Sequence, residues 1–258
     1  MKRDPLSLMN TILLSAVWLA ILPLATSATV LAKGEDSGHS QAVGFSCAVW
    51  ENLPFPELFY RHGTEYLPVE LTAGQRSKVH PLKGVETLEL FIRKAQAADA
   101  TAPSAARNYN RVGMAPMLKG VKRMLFLIEA KQDSTGMPLQ LLGMDDTLEA
   151  FPAGSFRFLN QTPNPLRILC AGATHELPPG ALQVVTPELP KAGGFLPVII
   201  KNEDDRKLLE NRFFAQPTGR ELIIIRPPAE GRTELVMKFL SDPIPASPRS
   251  SRKPPDRK

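Results

Sequence analysis

"FPAGSFRFLN", Phe151 to Asn160, joins a Phe-Pro-Ala-Gly corner to a run whose aromatic residues fall at every second position. Period-two alternation puts Phe156 and Phe158 on one face of a β-strand and Arg157 on the other. Pro152 and Gly154 supply the corner from which the strand starts. The stretch therefore reads as structural: both phenylalanines enter a core and Arg157 faces water.

The same signature recurs on either side. Brief segments of period-two or continuous apolar character span 43–50, 57–62, 65–71, 86–93, 122–130, 139–144, 155–160, 165–171, 182–186, 195–201, 220–226 and 233–240. Turn residues separate them, at His62-Gly63, Thr72-Gly74, Pro178-Gly180 and Pro217-Gly219. Short strands at such intervals predict an all-β protein of two sandwich-like units in tandem, with short helical turns only. The best helical turn is "NEDDRKLLE" (202–210), with Asn202 as its N-cap. "KAQAADATAPSAARNYNRVGMAP" (94–116) has no apolar period and reads as a linker or mobile loop. It divides an N-terminal β unit (43–93) from a C-terminal sandwich (117–245). "PVELTAGQRSKVHPLKGVETLELFIR" and "ENRFFAQPTGRELIIIR" share a polar strand, a basic turn, a Gly and an apolar strand ending in Ile-Arg, which suggests two related units.

The chain ends read differently. Lys2 and Arg3 precede an apolar run from about Leu8 to Leu24, then the small residues of "PLATSATVLA". This predicts a signal peptide over 1–27, cleaved after Ser27 or, as the neighbouring choice, Ala28, and followed by a flexible segment over 28–42. The alternative is a single N-terminal membrane anchor. "SPRSSRKPPDRK" (247–258) closes a basic tail over 246–258 that reads as disordered. Its five cations against Asp256 carry +4, and Lys2 and Arg3 against Asp4 carry +1, so the middle of this +5 chain is neutral. The folded body thus offers no general basic surface for nucleic acid, and only the tail is suited to anionic surfaces.

Candidate chemistry is scattered. Cys47 and Cys170 form an even pair in a compartment that permits disulfides. A bridge between them would stabilise by about 4 kcal/mol, and two buried free thiols are the other reading. Cys170 with His175 is a poor nucleophile–base pair, since the thiol lies within an apolar strand. The four histidines, His39, His62, His80 and His175, show no paired ligand spacing, and Cys-x-x-Cys is missing, so zinc has no support. Asp145 and Asp146, and Glu203, Asp204 and Asp205, read as turn and helix-start acids before they read as calcium ligands. The sequence contains no GxSxG elbow and no Gly-rich phosphate loop. No catalytic residue, metal or cofactor is expected. Aromatic and cationic residues on strands leave one candidate binding face: Tyr60, Arg61, Tyr66, Arg76, His80 and Lys83, beside Phe59.

The stretch "LLGMDDTLEAFPAGSFRFLNQTPNPLRILCAGATHELPPG" (141–180) resembles uncharacterised secreted bacterial proteins of verrucomicrobial or planctomycete type. In these a Pro-Ala-Gly-Ser corner leads into an aromatic strand ending in Asn, then a hairpin and a Pro-Pro-Gly turn; "RSKVHPLKG" is a weaker match. The resemblance implies a periplasmic or secreted β-sandwich and brings no catalytic residue or ligand. The expected function is an exported, non-enzymatic envelope protein with a binding or assembly role, its partner an unidentified envelope protein or glycan. A carbohydrate- or peptide-binding module and a hydrolase of unfamiliar type are the alternatives.

Overall fold

All twelve segments read from the sequence are strands, and four more strands join them. A computed structural model describes residues 43–82, 86–94, 108–131 and 136–243. The first eight strands are β1 (Val43–Val49), β2 (Leu58–His62), β3 (Glu65–Val69), β4 (His80–Leu82), β5 (Thr87–Arg93), β6 (Tyr109–Pro116), β7 (Arg123–Glu129) and β8 (Gln140–Asp145). The second eight are β9 (Phe156–Asn160), β10 (Leu166–Cys170), β11 (Ala173–Leu177), β12 (Leu182–Val185), β13 (Gly194–Lys201), β14 (Lys207–Ala215), β15 (Gly219–Arg226) and β16 (Val236–Pro243).

They form four sheets, ordered β4-β1-β7-β8, β3-β2-β5-β6, β12-β9-β15-β16 and β11-β10-β13-β14. Adding eight to every strand number in the first two orders reproduces the last two. The parallel pairing repeats as well, β1 with β7 and β9 with β15. The described chain is one eight-stranded sandwich made twice.

Three cores lie between four layers. One sandwich encloses Phe45, Cys47, Tyr60, Leu90, Met124 and Phe126, and the other encloses Phe156, Phe158, Ile168, Cys170, Val198 and Ile223. The third core joins the sandwiches, with Ala48, Leu125, Leu127 and Met144 meeting Leu159, Leu222, Ile224 and Leu240 around Phe151. The two inner sheets are thus buried on both faces, which is why β7 (RMLFLIE) and β15 (RELIIIR) read as unbroken apolar runs. The outer β10 keeps one face toward solvent and alternates.

Several expectations change. The boundary between the units does not fall at 94–116: residues 109–116 of that segment are β6, paired with β5. Both β7 and β8 belong to the first sandwich, because β7 closes its sheet alongside β1. The fold does repeat, but the equivalent stretches are others than "ETLELFIR" and "RELIIIR". Phe45 sits opposite Met124 as Phe156 sits opposite Glu221, so Arg123–Glu129 matches Arg220–Arg226 and Gly44–Val49 matches Ser155–Asn160. "NEDDRKLLE" makes no helix. Asn202 closes the β13–β14 turn, its N–H donating to Arg206 O and its side chain accepting from Arg206 N, and β14 follows. Cys47 and Cys170 are free and lie in different cores, separated by both inner sheets, so no bridge joins them. Burial raises both thiols, Cys170 to about 11, which keeps them protonated. The signal segment, the stretch 28–42, Lys83 and the tail lie outside the described residues.

His80 illustrates how the halves diverge. It is buried between Phe45 and Tyr60, with ring centroids 5.2 and 5.3 Å away, and its Nε2 has no hydrogen-bond partner among the described residues. The matching residue opposite Phe156 is Val185. Burial, reinforced by Lys78 and opposed by Glu70, pushes the imidazole below its ordinary value of 6.5. The unfolded chain therefore binds the extra proton first, and the stability tied to neutral His80 is complete above about pH 6.5 and lost as pH falls toward the folded value. Urea unfolding of wild type should show this acid loss, and His80→Val should flatten the profile between pH 7 and 5. An unchanged profile in the variant would refute the assignment.

Candidate functional site

The five described residues of the proposed binding face, Tyr60, Arg61, Tyr66, Arg76 and His80, do not gather on one face. Tyr60 and His80 are core residues, and Arg76 is held in an ionic cluster between the sandwiches. Tyr60 and His80 touch inside the core, and on the outer face of the second sheet Arg61 and Tyr66 form a cross-strand pair. There Arg61 pairs with Glu89 at 3.2 Å, and Tyr66 stacks on Tyr109 with centroids 4.0 Å apart.

Arg157 is also corrected. It is 4 % exposed rather than solvated, because the outer side of its strand is the interface between sandwiches. Its guanidinium donates to the carbonyls of Asp145 and Ala150 and lies 4.3 Å above the Phe151 ring. Burial pulls it down to about 10, a value at which it stays charged at neutral pH. Beside it, Arg123 with Asp146 and Arg220 with Asp242 occupy matching positions of the two halves and interlock. Asp146 is met by Arg76 at 2.7 and 2.8 Å, Arg123 at 3.0 Å and Arg220 at 3.2 Å. Asp242 is met by Arg76 at 2.8 Å and by Arg220 at 2.7 and 2.9 Å. Every acid here is committed to arginine, so the cluster is a clamp between the halves. Among the described residues, no three His, Cys, Asp or Glu side chains converge as a metal site would require.

The site that does form lies at the mouth of the second sandwich, between the edge strands β14 and β16. A cleft of about 600 Å³ is lined by Phe156, Phe195, Phe213, Phe214 and Phe239 together with Glu221, Ser241, Arg212 and Asn211. Phe195 (65 % exposed), Phe214 (43 %) and Phe239 (38 %) leave much of their rings in water. Phe195 and Phe214 are cross-strand neighbours with centroids 5.0 Å apart, and Phe239 packs edge-on against Phe213 at 5.3 Å. A single exposed phenylalanine needs no explanation, but three around one concavity mark a place where apolar area awaits cover.

Glu221 gives the cleft its polarity. On β15 it is in step with Ile223 and Ile225, so its carboxylate points into the sandwich at its open end. Ser241, directly across the ladder, donates to Oε1 at 2.9 Å. Burial holds the Glu221 carboxyl above the ordinary range, partly offset by that hydrogen bond. Such a group can accept further hydrogen bonds or pair with a cation.

The first half has a different solution at the same place. The residue matching Glu221 is Met124, fully buried, with Leu118 N donating to its sulfur at 3.2 Å. The chain between β6 and β7 spans 117–122 and lays Met117 and Val121 against the core, whereas the corresponding connection between β14 and β15 is only 216–218. A hollow of about 680 Å³ flanks the longer loop, lined by Val43, Glu86, Thr87 and residues 116–122 without an aromatic ring.

No family model and no curated protein matches this chain. The cleft stands on its geometry. Reading the sequence missed Phe195, Phe214, Phe239, Glu221 and Ser241. One signal was available: a carboxylate at an inward position of "RELIIIR", in step with two isoleucines, marks an opening in a core.

Proposed function

We propose that this is an exported, non-enzymatic β-sandwich protein of the bacterial envelope whose binding or assembly role is carried by the phenylalanine-lined cleft of its second sandwich. The observation that supports the reading is the asymmetry between the two halves. One fold is used twice; one mouth has its own loop laid over Met124, and the other carries Glu221 at its opening, with three exposed phenylalanines bordering the cleft. Covering such rings yields about 25 cal/mol per Å² of apolar area, so a ligand seated there gains affinity without rearranging the fold. Export rests on the charged, apolar and small-residue order of the first 27 residues.

A photo-crosslinking amino acid at position 214 tests the cleft in cells that make the protein. A discrete adduct is expected from position 214 and not from position 182, an exposed leucine at the edge of the third sheet. Identical adducts from both positions, or none from 214, would overturn the reading.

A further inference from the structure

The first half of the molecule shows what kind of matter covers this mouth when it is covered: a stretch of polypeptide. Its segment is "MLKGVK" (117–122), in which Met117 and Val121 reach the core while Lys119 and Lys122 stay in water. Apolar anchors and basic residues thus alternate in the one occupant this architecture already holds. The second mouth differs in two ways. Its own connection, 216–218, is too short to lie across it, and the apolar Met124 is replaced by the carboxylate of Glu221.

Among the cleft's charged groups, Asp242 is committed to Arg76 and Arg220. Arg212 is an exposed cation on the rim. Glu221 is the one carboxylate of the lining that no described arginine or lysine pairs with; Ser241 reaches only its Oε1. One wall of the cleft is β14, an edge strand of nine residues, which is long enough to align an extended chain by strand addition.

Resting on the binding reading above, we propose that the cleft receives an extended polypeptide segment of a partner protein in which apolar side chains flank a lysine or arginine. The apolar groups lie on Phe195, Phe214 and Phe239, and the cation pairs with Glu221. The stem of a long basic side chain suits this arrangement, since it covers aromatic surface while its head reaches a carboxylate.

The test is selection of phage-displayed random linear nonapeptides on the full chain, run in parallel on Glu221→Gln and on Phe214→Ser. Both positions are outside the closed cores, and urea midpoints establish that the variants fold. Wild type should enrich peptides with a Lys or Arg between apolar residues, and recovery of those peptides should fall about tenfold on either variant. Enriched peptides without a cation, retained by Glu221→Gln, overturn this inference while leaving the binding reading intact. So does a failure to enrich any peptide while the position-214 adduct still forms. Loss of that adduct instead sinks the binding reading itself.

Discussion

Replacing Asp146 by alanine is expected to lower the unfolding free energy by about 3–5 kcal/mol. Its side chain is completely buried and faces Arg76, Arg123 and Arg220. Removing the carboxylate leaves the buried guanidinium groups of Arg76 and Arg220, and the partly exposed one of Arg123, with Asp242 as the remaining counter-charge. The cost lies in those uncompensated cations more than in the lost attraction. Asp242→Ala should cost less, because that side chain is 16 % exposed and water can take its place. Urea unfolding followed by circular dichroism reads both, and the shift in melting temperature for Asp146→Ala should be on the order of 10 °C. A loss below about 1 kcal/mol would show that the clamp is hydrated in solution.

The fold was legible in the sequence, and its division was not. Period-two and continuous apolar runs located every central strand, because a strand buried on one or both faces writes that burial into its side chains. The four strands that escaped, β4, β6, β11 and β14, are all sheet edges. Edge strands contact a single neighbour and carry polar residues, so "YNRVGMAP" reads as loop and "KLLENRFFA" as the end of a helical turn. The division between units was misplaced because β7 returns across the first sheet to lie parallel to β1, and such long-range closure has no local signal. Arg157 was misassigned for a related reason. Alternation says that it faces away from Phe156 and Phe158, but what lies on that side is another sandwich. The cleft was invisible because it depends on β14 being a strand and on the length of one turn.

One architecture used twice with different residues ties these points together. The matching positions that face the interface, Arg123 with Arg220 and Asp146 with Asp242, keep their chemistry and interlock. The matching positions at the mouths, Met124 and Glu221, do not.

Phe151 should be the second most sensitive position. It sits in the segment between the sandwiches, 1 % exposed, with the guanidinium of Arg157 at 4.3 Å and that of Arg220 at 4.9 Å from its ring. Its carbonyl also accepts from Arg220 Nη1 at 2.9 Å. Phe151→Ala is expected to cost about 3–5 kcal/mol, through lost burial and the cavity it leaves in the third core. Phe151→Leu separates the contributions. It keeps most of the apolar volume and the backbone hydrogen bond but removes the π face, so it should cost about 1–2 kcal/mol. If the ring matters mainly as filler, combining Phe151→Leu with Arg157→Met will give additive losses. If it serves as a shared platform for two buried cations, the double variant will lose less than the sum, by about 1 kcal/mol, because the second substitution removes a cation that has already lost its ring. The platform reading is favoured by position: both arginines are drawn from β-strands of the second sandwich, while the carbonyls and carboxylates that hold them include Asp145 and Asp146 at the end of the first. A ring that neutral packing alone required would not need two cations at 4.3 and 4.9 Å from its centroid.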